Sequence, residues 1–241
     1  MKKLILSTAT AALLGSIAMA DDKSVVRLGT EGAYPPYNFI NDAGEVDGFE
    51  RELGDEVCAR AELTCEWVTN EWDSIIPNLV SGNYDAIIAG MSVTDERKEV
   101  IDFSEQYTLP DPSAFLAAGD IDLDGAVIAA QASTIQASHV ASMEGATLLE
   151  FATPDETIAA VKSGEADAVL ADKAFLIPVA EADPDLSFIG EDALIGGGIG
   201  FGVRQSDAEL RDKFSAAITS MKEDGTLNAL IVKWLPDSAT F

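Results

Sequence analysis

A hydroxyl, a guanidinium and free backbone N–H groups come together in the stretch 89–97. The apolar run 85–89 ends in Gly90, which predicts a buried strand followed by a turn. Thr94 precedes a charged segment as an N-cap residue does, and Arg97 follows three residues later. This combination suits a carboxylate, because N–H groups at a helix start point at the anion and the planar guanidinium can hold it bidentately. The alternative is a surface helix on which Arg97 pairs with a neighbouring acid.

The first twenty residues predict a signal peptide and not a part of the fold. Lys2 and Lys3 form a basic start, the apolar run 4–18 follows, and Ala-Met-Ala at 18–20 is typical of a cleavage site after Ala20. The run is too short to span a bilayer comfortably, and no later stretch approaches the roughly 20 apolar residues of a membrane helix. Since no cysteine lies near the cleavage site, we expect an exported protein without a membrane anchor.

The charge of the chain is strongly acidic, with 42 Asp and Glu residues against 15 Lys and Arg and a formal net charge of −27. Nucleic acids and anionic membrane surfaces are poor partners for such a surface. A negative field could favour cationic ligands, but net charge is first of all a matter of solubility. We therefore expect no nucleic-acid partner and draw no ligand from the charge alone.

Strand and helix patterns alternate along the chain, which predicts parallel sheets with crossover helices. In such sheets ligands bind beyond the carboxyl ends of the strands. The predicted strands are 25–30, 66–68, 84–89, 126–130, 147–151, 167–171 and one that runs to 203. The predicted helices are 49–61, 72–79, 134–143, 154–162, one after Asp172, one capped by Ser206 that reaches about 222, and a last one ending near 234.

Two breaks in this alternation divide the chain into two lobes. Pro110 and Pro112 suit a stiff linker, and the glycine-rich run 196–202 is a second flexible zone. That run does not match the dinucleotide-binding fingerprint, so no cofactor is expected. The closing helices should pack back on the first lobe. The predicted organisation is lobe 1 at 21–109 and 197–241, lobe 2 at 113–192, and crossings at 110–112 and 193–196.

Cys58 and Cys65 are the two cysteines, seven positions apart. In an exported protein this spacing indicates a disulfide that ties a helix end to the next strand. A zinc site is not expected, because two thiols and His139 cannot supply four ligands. His139 alone also makes no catalytic triad, since those roles require a placed partner. We therefore expect neither a metal site nor a catalytic residue.

Four segments in order, 29–37, 46–50, 72–79 and 89–97, resemble bacterial periplasmic binding proteins for polar amino acids. The likeness is greatest to the lysine/arginine/ornithine, histidine, arginine and opine binders, and it covers essentially the whole chain after the signal peptide. The resemblance implies an α/β fold of the type II periplasmic-binding-protein class. Each lobe would be a central sheet flanked by helices, and a two-crossing hinge would let the lobes close on a ligand.

The resemblance also implies which residues bind the α-groups of an amino acid. Arg97 matches the arginine that clamps the α-carboxylate, and Thr134 matches the hydroxyl that helps from the second lobe. Asp172 matches the acid that binds the ammonium, with Ser92 and the Gly90 carbonyl as the contacts from the first lobe. Thr134 and Asp172 could instead be plain helix caps.

The ligand's side chain would lie between Tyr34 and Trp72, which match the aromatic pair of the family. Glu31 matches the acid that faces the distal charge in binders of cationic amino acids, and Tyr37 is an additional candidate wall. Both aromatic residues could be ordinary packing residues, and Glu31 could be a solvated loop carboxylate.

At three positions, however, this sequence departs from the cationic binders. The family's Gly-Thr-Thr pattern is replaced by Ala132, Ser133 and Thr134, and Ile135 stands where a polar residue is common.

The function that follows from this resemblance is that of a periplasmic receptor. It would bind a free L-amino acid, in particular a cationic one or an opine, and deliver it to the permease and ATPase of an ABC importer. We expect a monomer. Binding of a neutral polar amino acid is an alternative, as is a cyclohexadienyl dehydratase on the same fold with Glu31 as its acid or base. A sensor ectodomain is disfavoured, because the sequence reaches Phe241 without a membrane helix.

Overall fold

Residues 25–241 are described by the computed structural model, and the predicted signal peptide with its cleavage site lies outside them. The strands, in chain order, are β1 (Val26–Thr30), β2 (Ala33–Tyr34), β3 (Asn38–Ile40), β4 (Val46–Asp47), β5 (Cys65–Thr69), β6 (Ala86–Ile87), β7 (Ile101–Phe103), β8 (Ser113–Ala117), β9 (Val127–Gln131), β10 (Thr147–Phe151), β11 (Ala168–Asp172), β12 (Ser187–Ala193) and β13 (Gly202–Arg204). The helices are α1 (Phe49–Arg60), α2 (Ile75–Val80), α3 (Asp95–Lys98), α4 (Ile135–Ser142), α5 (Pro154–Ser163), α6 (Lys173–Ala182), α7 (Ala208–Asp224) and α8 (Thr226–Trp234), and a 3-10 turn at Trp72–Ser74 leads into α2.

The first lobe contains a five-stranded sheet in the spatial order β5-β1-β6-β13-β7. Strand β1 pairs in parallel with β5 and β6, whereas β13 runs antiparallel to β6 and β7. The small sheet β2-β3-β4 belongs to the same lobe. One apolar core joins Leu28 of β1 and Phe49 of α1 to Phe214 of α7 and Ile231 of α8. The closing helices therefore pack on the first lobe.

The second lobe contains a five-stranded sheet in the order β10-β9-β11-β8-β12. Its centre is parallel, because β9 pairs in parallel with both β10 and β11. Strand β8 runs antiparallel to β11 and β12. The molecule is thus a two-lobed α/β protein, as predicted. In each lobe, however, a strand next to an interlobe crossing is antiparallel, since the chain there enters the sheet without a crossover helix.

The connections between the lobes run side by side. Tyr107 on the first donates its N–H to the carbonyl of Ile199 on the second at 2.7 Å, and Ser104 donates to the carbonyl of Phe201 at 2.9 Å. In return, Ile199 donates to the Thr108 hydroxyl at 3.0 Å. We propose that these paired segments are the hinge. Strand β12 extends to Ala193, one residue into the crossing predicted at 193–196.

One local prediction of secondary structure was wrong, and several strands were missed. Ser206 does not cap a helix: α7 begins at Ala208 with Asp207 in the N-cap position, and no side chain makes the capping bond. The Ser206 hydroxyl instead donates to the Asp207 carboxylate at 2.7 Å. The strands β2, β3, β4, β7, β8 and β12 were not predicted, because short segments beside prolines or glycines are also typical of turns and linkers. Among residues 25–241, no helix combines the length and apolar character that a membrane span requires.

The predicted disulfide is confirmed: Cys58 in the last turn of α1 is bonded to Cys65 at the start of β5. The bond ties a helix end to the edge strand of the first-lobe sheet. Closing so short a loop restricts the unfolded chain and stabilises the fold by about 2–3 kcal/mol on the chain-entropy model.

We expect the exported protein to contain no free thiol, because both cysteines are used in this bond. Titration of denatured, unreduced protein should detect none, and the Cys58→Ser/Cys65→Ser variant should lose about 2–3 kcal/mol of unfolding free energy. Two titratable thiols per chain would contradict the prediction. A fully reduced and denatured sample provides the positive control.

Candidate functional site

A cavity lies between the lobes, at the carboxyl ends of β1 and β6 in one lobe and of β9 and β11 in the other. This is the edge at which parallel α/β sheets bind ligands. Eight of the nine candidate residues that the sequence pointed to lie on its wall, and Tyr37 does not. The lining comprises Glu31, Tyr34, Trp72, Ala89, Gly90, Ser92, Arg97, Gln131, Thr134, Ile135, Gln136 and Asp172.

Arg97 is placed by the start of α3. The Thr94 hydroxyl accepts the Arg97 N–H at 3.2 Å, which is the N-cap that the sequence predicted. The guanidinium donates to the Ser92 carbonyl at 2.8 Å and lies 5.4 Å from the centre of the Trp72 ring. Among the described ion pairs none involves Arg97, so the alternative of a surface arginine paired with an acid does not hold. Burial lowers the pKa of Arg97 to about 10. A carboxylate beside this cation would offset the cost of burying it.

Asp172 ends β11 and occupies the N-cap position of α6, yet its side chain makes no capping bond. Its carboxylate turns into the cavity instead. There it accepts the Tyr34 hydroxyl at 2.8 Å and the Gln136 amide at 3.0 Å. Burial raises the pKa of Asp172 to about 6, while the Tyr34 hydrogen bond and the charge of Arg97 act in the opposite direction. The side chain is therefore a buried anion that would gain from a cationic partner.

The two aromatic side chains reach across the cleft. Tyr34, in β2 of the first lobe, stacks on Phe175 of α6 with ring centres 4.5 Å apart and planes 9° apart. Trp72, in the turn before α2, donates its indole N–H to the Ser133 carbonyl at 3.3 Å. Each ring thus forms part of the cavity wall and also contacts the second lobe.

Tyr37, the additional candidate wall, does not line the cavity. It is fully buried in the first-lobe core, where its ring packs edge-on against Phe49 with centres 6.3 Å apart. The Gly/Pro/Tyr loop reverses between the two tyrosines, with a cis bond between Pro35 and Pro36. The Tyr37 ring stacks against the Tyr34 ring, with centres 5.9 Å and planes 24° apart, but of the two only Tyr34 lines the cavity, and that part of the expectation was wrong.

Glu31 follows the last residue of β1 and faces the cavity. One carboxylate oxygen accepts the Gln131 amide, across the cleft, at 2.7 Å. Burial raises the pKa of Glu31 to about 7; the Gln131 hydrogen bond lowers it, and the charges of Asp73 and Asp155 raise it further. Glu31 is thus a half-buried acid in a wall, and not the solvated loop carboxylate that was the alternative.

The turn at Gly90 is held from behind by Glu50, a fully buried side chain of α1. The Glu50 carboxylate accepts the Gly90 N–H at 2.6 Å and an N–H of the Asn38 amide at 2.7 Å, and it also accepts the Tyr107 hydroxyl. Asn38 in turn accepts the N–H of Gly32 at 2.7 Å. One carboxylate therefore fixes both first-lobe loops that line the cavity, those around Gly32 and Gly90. Burial raises the pKa of Glu50, and the three hydrogen bonds oppose that rise.

Thr134 is the N-cap of α4, which was the alternative to its role as a ligand-binding hydroxyl. Its hydroxyl accepts the N–H of Ala137 at 3.1 Å and donates to the Gln131 carbonyl at 2.7 Å. The hydroxyl proton is thus already used within the second lobe, while the side chain still lines the cavity. Ser133, immediately before it, has a left-handed backbone with φ of 60°, a conformation that glycine adopts more easily.

Gln131 and Gln136 line the cavity but were not singled out in the sequence. Gln131 is the polar last residue of the apolar strand β9. Its position at the carboxyl end of a parallel strand was a usable signal. Gln136 lies in the first turn of α4, where its amide donates both to Asp172 and to the Ser113 hydroxyl, each at 3.0 Å. Nothing in the spacing of the sequence connects Gln136 with Ser113 and Asp172, since the three residues come from three different elements.

The site thus combines two partly buried carboxylates, two aromatic walls between two lobes and an arginine that has no ion-pair partner among residues 25–241. This arrangement suits a small zwitterion with an organic side chain. Residues 26–237 match the family of bacterial extracellular solute-binding proteins, family 3. The match covers most of the chain, and the protein belongs to that family.

Individual relatives of the chain are binding proteins for amino acids and related compounds. The chain is 32% identical to the L-arginine-binding protein of Pseudomonas aeruginosa over 93% of each sequence. Among solved structures, it is 67% identical to a periplasmic His/Glu/Gln/Arg/opine family-binding protein from Silicibacter pomeroyi in complex with lysine. That match has a TM-score of 0.87 and covers 90% of this chain and all of that one. It is also 27% identical to the ancestral amino acid-binding protein AncCDT-1, a precursor of cyclohexadienyl dehydratase, with a TM-score of 0.78 and coverage of 87% and 95%.

Proposed function

We propose that this protein is a periplasmic receptor that binds a cationic L-amino acid between its lobes and delivers it to an ABC importer. The observation that carries the proposal is the balance of charge in the cavity. Arg97 contributes one positive charge, and Asp172 and Glu31 contribute two negative charges when ionised. The α-groups of an amino acid sum to zero. A side chain with one positive charge therefore neutralises the site, and buried charges require such compensation.

The α-groups would be held at one end of the cavity. The Arg97 guanidinium would bind the carboxylate through its planar fork, together with the first-turn N–H groups of α4 beside Thr134. Asp172 would bind the ammonium, and the Gly90 carbonyl and Ser92 would add first-lobe contacts. Since Asp172 accepts from Tyr34 and Gln136, two of about four acceptor positions on its carboxylate remain for the ligand.

The side chain of the ligand would run between Tyr34 and Trp72 toward Glu31. Aromatic rings bury methylene groups and attract a cationic head through their faces. The relatives named for arginine, and the one solved with lysine, support this assignment. Ile135 is apolar and adds packing surface, but no hydrogen bond, to this wall.

Release to an importer completes the proposal. The relatives are periplasmic binding proteins, and the sequence begins with a predicted signal peptide. We propose export to the periplasm with cleavage after Ala20, a monomeric state, and a permease and ATPase of an ABC importer as partners. The lobes would close on the ligand at the hinge and open at the permease.

An enzyme on this fold is the second candidate. It is favoured by the likeness to AncCDT-1 and by the pKa of Glu31, which at about 7 suits a general acid or base. We propose that the protein is not such an enzyme and that Glu31 serves as a charge partner. Purified protein should leave prephenate and arogenate unchanged. Sustained turnover of either compound, lost in Glu31→Gln, would establish the enzyme instead.

We expect Glu31→Gln to weaken arginine binding by about tenfold or more, because the distal cation would lose its charged partner. Calorimetry with arginine, lysine, ornithine, histidine and glutamine tests this, beside the same titrations of the wild type. Glutamine affinity should change little.

The matched control is Glu66→Gln. It removes one exposed carboxylate of β5 that does not line the cavity, so it reports the effect of overall charge. Tightest wild-type binding of glutamine, or unchanged arginine affinity in Glu31→Gln, would contradict the cationic assignment while leaving an amino acid receptor in place.

A further inference from the structure

The side chain of Gln131 is tied to both lobes. It ends β9 of the second lobe and is buried. Its amide nitrogen donates to Glu31 of the first lobe at 2.7 Å and to the Ala152 carbonyl of its own lobe at 3.1 Å. Both neighbours are hydrogen-bond acceptors, which sets the orientation of the amide, since only its NH₂ end can serve them. Both N–H groups are therefore used, and the side chain has one orientation.

Glu31 depends on this bond for its position. It stands in the loop after β1, and among the described hydrogen bonds to its carboxylate the donor is Gln131. Asp73 and Asp155 are the charged groups nearby that disfavour its ionised form. An amide N–H directed at a carboxylate favours the charged form and restricts its rotamers. The bond engages Oε1, so Oε2 is left for a further partner.

We propose that Gln131 is a specificity-determining positioning residue: its amide reaches across the closed cleft, holds one oxygen of Glu31 and directs the other at the distal cation of a basic amino acid. This inference rests on the proposed function. It explains how a second-lobe residue outside the α-group contacts controls the choice of side chain. The Glu31–Gln131 bond exists only while the lobes are together, so charge recognition is coupled to closure.

The test is a double-mutant cycle on arginine affinity, using Gln131→Met and Glu31→Gln singly and together. Methionine preserves the unbranched length of glutamine and removes both N–H donors. Gln131→Met should weaken arginine binding by about tenfold. In the Glu31→Gln background, adding Gln131→Met should alter the arginine affinity by less than about twofold, because Gln131 acts through Glu31.

The pH profile is the second readout. Arginine affinity of the wild type should fall as the pH drops through about 7, where Glu31 becomes protonated. In Gln131→Met the fall should begin at a higher pH, since the donor that favours the carboxylate is gone. A purely structural role would lower the affinity by one factor at every pH. Asp172 contributes its own fall near pH 6, which the Glu31→Gln variant isolates.

Gln205→Met is the matched control. The Gln205 amide also donates to two acceptors, the carbonyls of Lys98 and Glu99, but on the exposed surface of the first lobe. The arginine affinity of the Gln205→Met variant should stay within about twofold of that of the wild type. Equal losses from Gln131→Met in both backgrounds, or no loss in either, would overturn this inference. Wild-type preference for glutamine over arginine would overturn the proposed function itself, so the two failures are distinguishable.

Discussion

Arg97→Ala is expected to abolish amino acid binding while the protein remains folded. The guanidinium lies in the cavity without an ion-pair partner among residues 25–241, and its pKa of about 10 reflects the cost of burying it. It is therefore held ready for a carboxylate. Removing one member of a buried charge pair costs about 2–5 kcal/mol of binding free energy, which is at least thirtyfold in affinity and up to several thousandfold.

Arg97→Lys separates charge from geometry. Lysine preserves the positive charge but has no planar fork, so it cannot bind a carboxylate bidentately. We expect its affinity to lie at least about tenfold below that of the wild type, and above that of Arg97→Ala. Calorimetry with arginine measures both variants, and circular dichroism with thermal melting checks the fold.

Arg51→Ala is the matched control for these variants. Arg51 also lies against a tryptophan, with its guanidinium 5.6 Å from the Trp67 ring centre, and it pairs with Asp55 at 2.7 Å on the surface of α1. Its loss should leave arginine affinity within about twofold, because exposed pairs contribute little. If Arg97→Ala kept its affinity within about tenfold of the wild type, the α-carboxylate would have to bind elsewhere.

Asp172→Asn is expected to abolish binding without destabilising the unliganded protein. The carboxylate is the proposed partner of the ligand ammonium, and an amide that replaces it has lost the charge. We again expect a loss of at least thirtyfold, for the same reason as at Arg97. The asparagine oxygen can accept the Gln136 amide in place of Oδ1, and the asparagine NH₂ group can donate to the Tyr34 hydroxyl in place of Oδ2.

The stability of Asp172→Asn follows from the direction of the pKa shift. The folded-state pKa of Asp172, about 6, lies above its ordinary value of 3.8, so the fold favours the protonated form. The ionised carboxylate therefore destabilises the unliganded protein increasingly as the pH rises from about 4 to 6, and fully above that. At pH 8 the unliganded variant should melt at the same temperature as the wild type or higher.

Differential scanning fluorimetry at pH 8, with and without arginine, measures both effects. Arginine should raise the melting temperature of the wild type by several degrees, because a ligand at 100 times its Kd stabilises by about 2.7 kcal/mol. It should not shift that of Asp172→Asn. A clear fall in melting temperature without ligand would mean that Asp172 acts mainly as a structural acceptor.

Local features of this protein were predictable from the sequence because residues close in the chain decide them. Thr94 caps α3 through a bond to Arg97, three residues later. Cys58 and Cys65 pair because a helix end and the following strand place them together. The strand β6 that leads to Gly90 and the helix α4 that Thr134 caps each bring cavity residues to a sheet edge. These features follow from hydrophobic periodicity, capping and turn chemistry, which act over a few residues.

Ser206 and Tyr37 mark where local patterns were not sufficient. Serine before a helix is a common cap, but here Asp207 occupies the N-cap position and binds the serine hydroxyl. Tyr37 and Tyr34 stand in one loop and stack on each other, but Tyr34 lines the cavity whereas Tyr37 is buried in the first-lobe core. In both cases the local sequence suits either of two neighbouring residues, as the helix cap or as the cavity wall. Packing in the folded protein decides which of the two takes that place.

The sequence by itself determined the two-lobed α/β organisation, the cap at Thr94 and the positions of the eight candidate residues along the chain. Only the tertiary structure decided what these residues contact. Gln131 meets Glu31 across 100 positions, and Asp172 meets Tyr34 across 138. Glu50 reaches Gly90 from a helix 40 positions away. Such contacts depend on the order of strands in two sheets and on closure of the lobes, which bury charges together that are far apart in the chain.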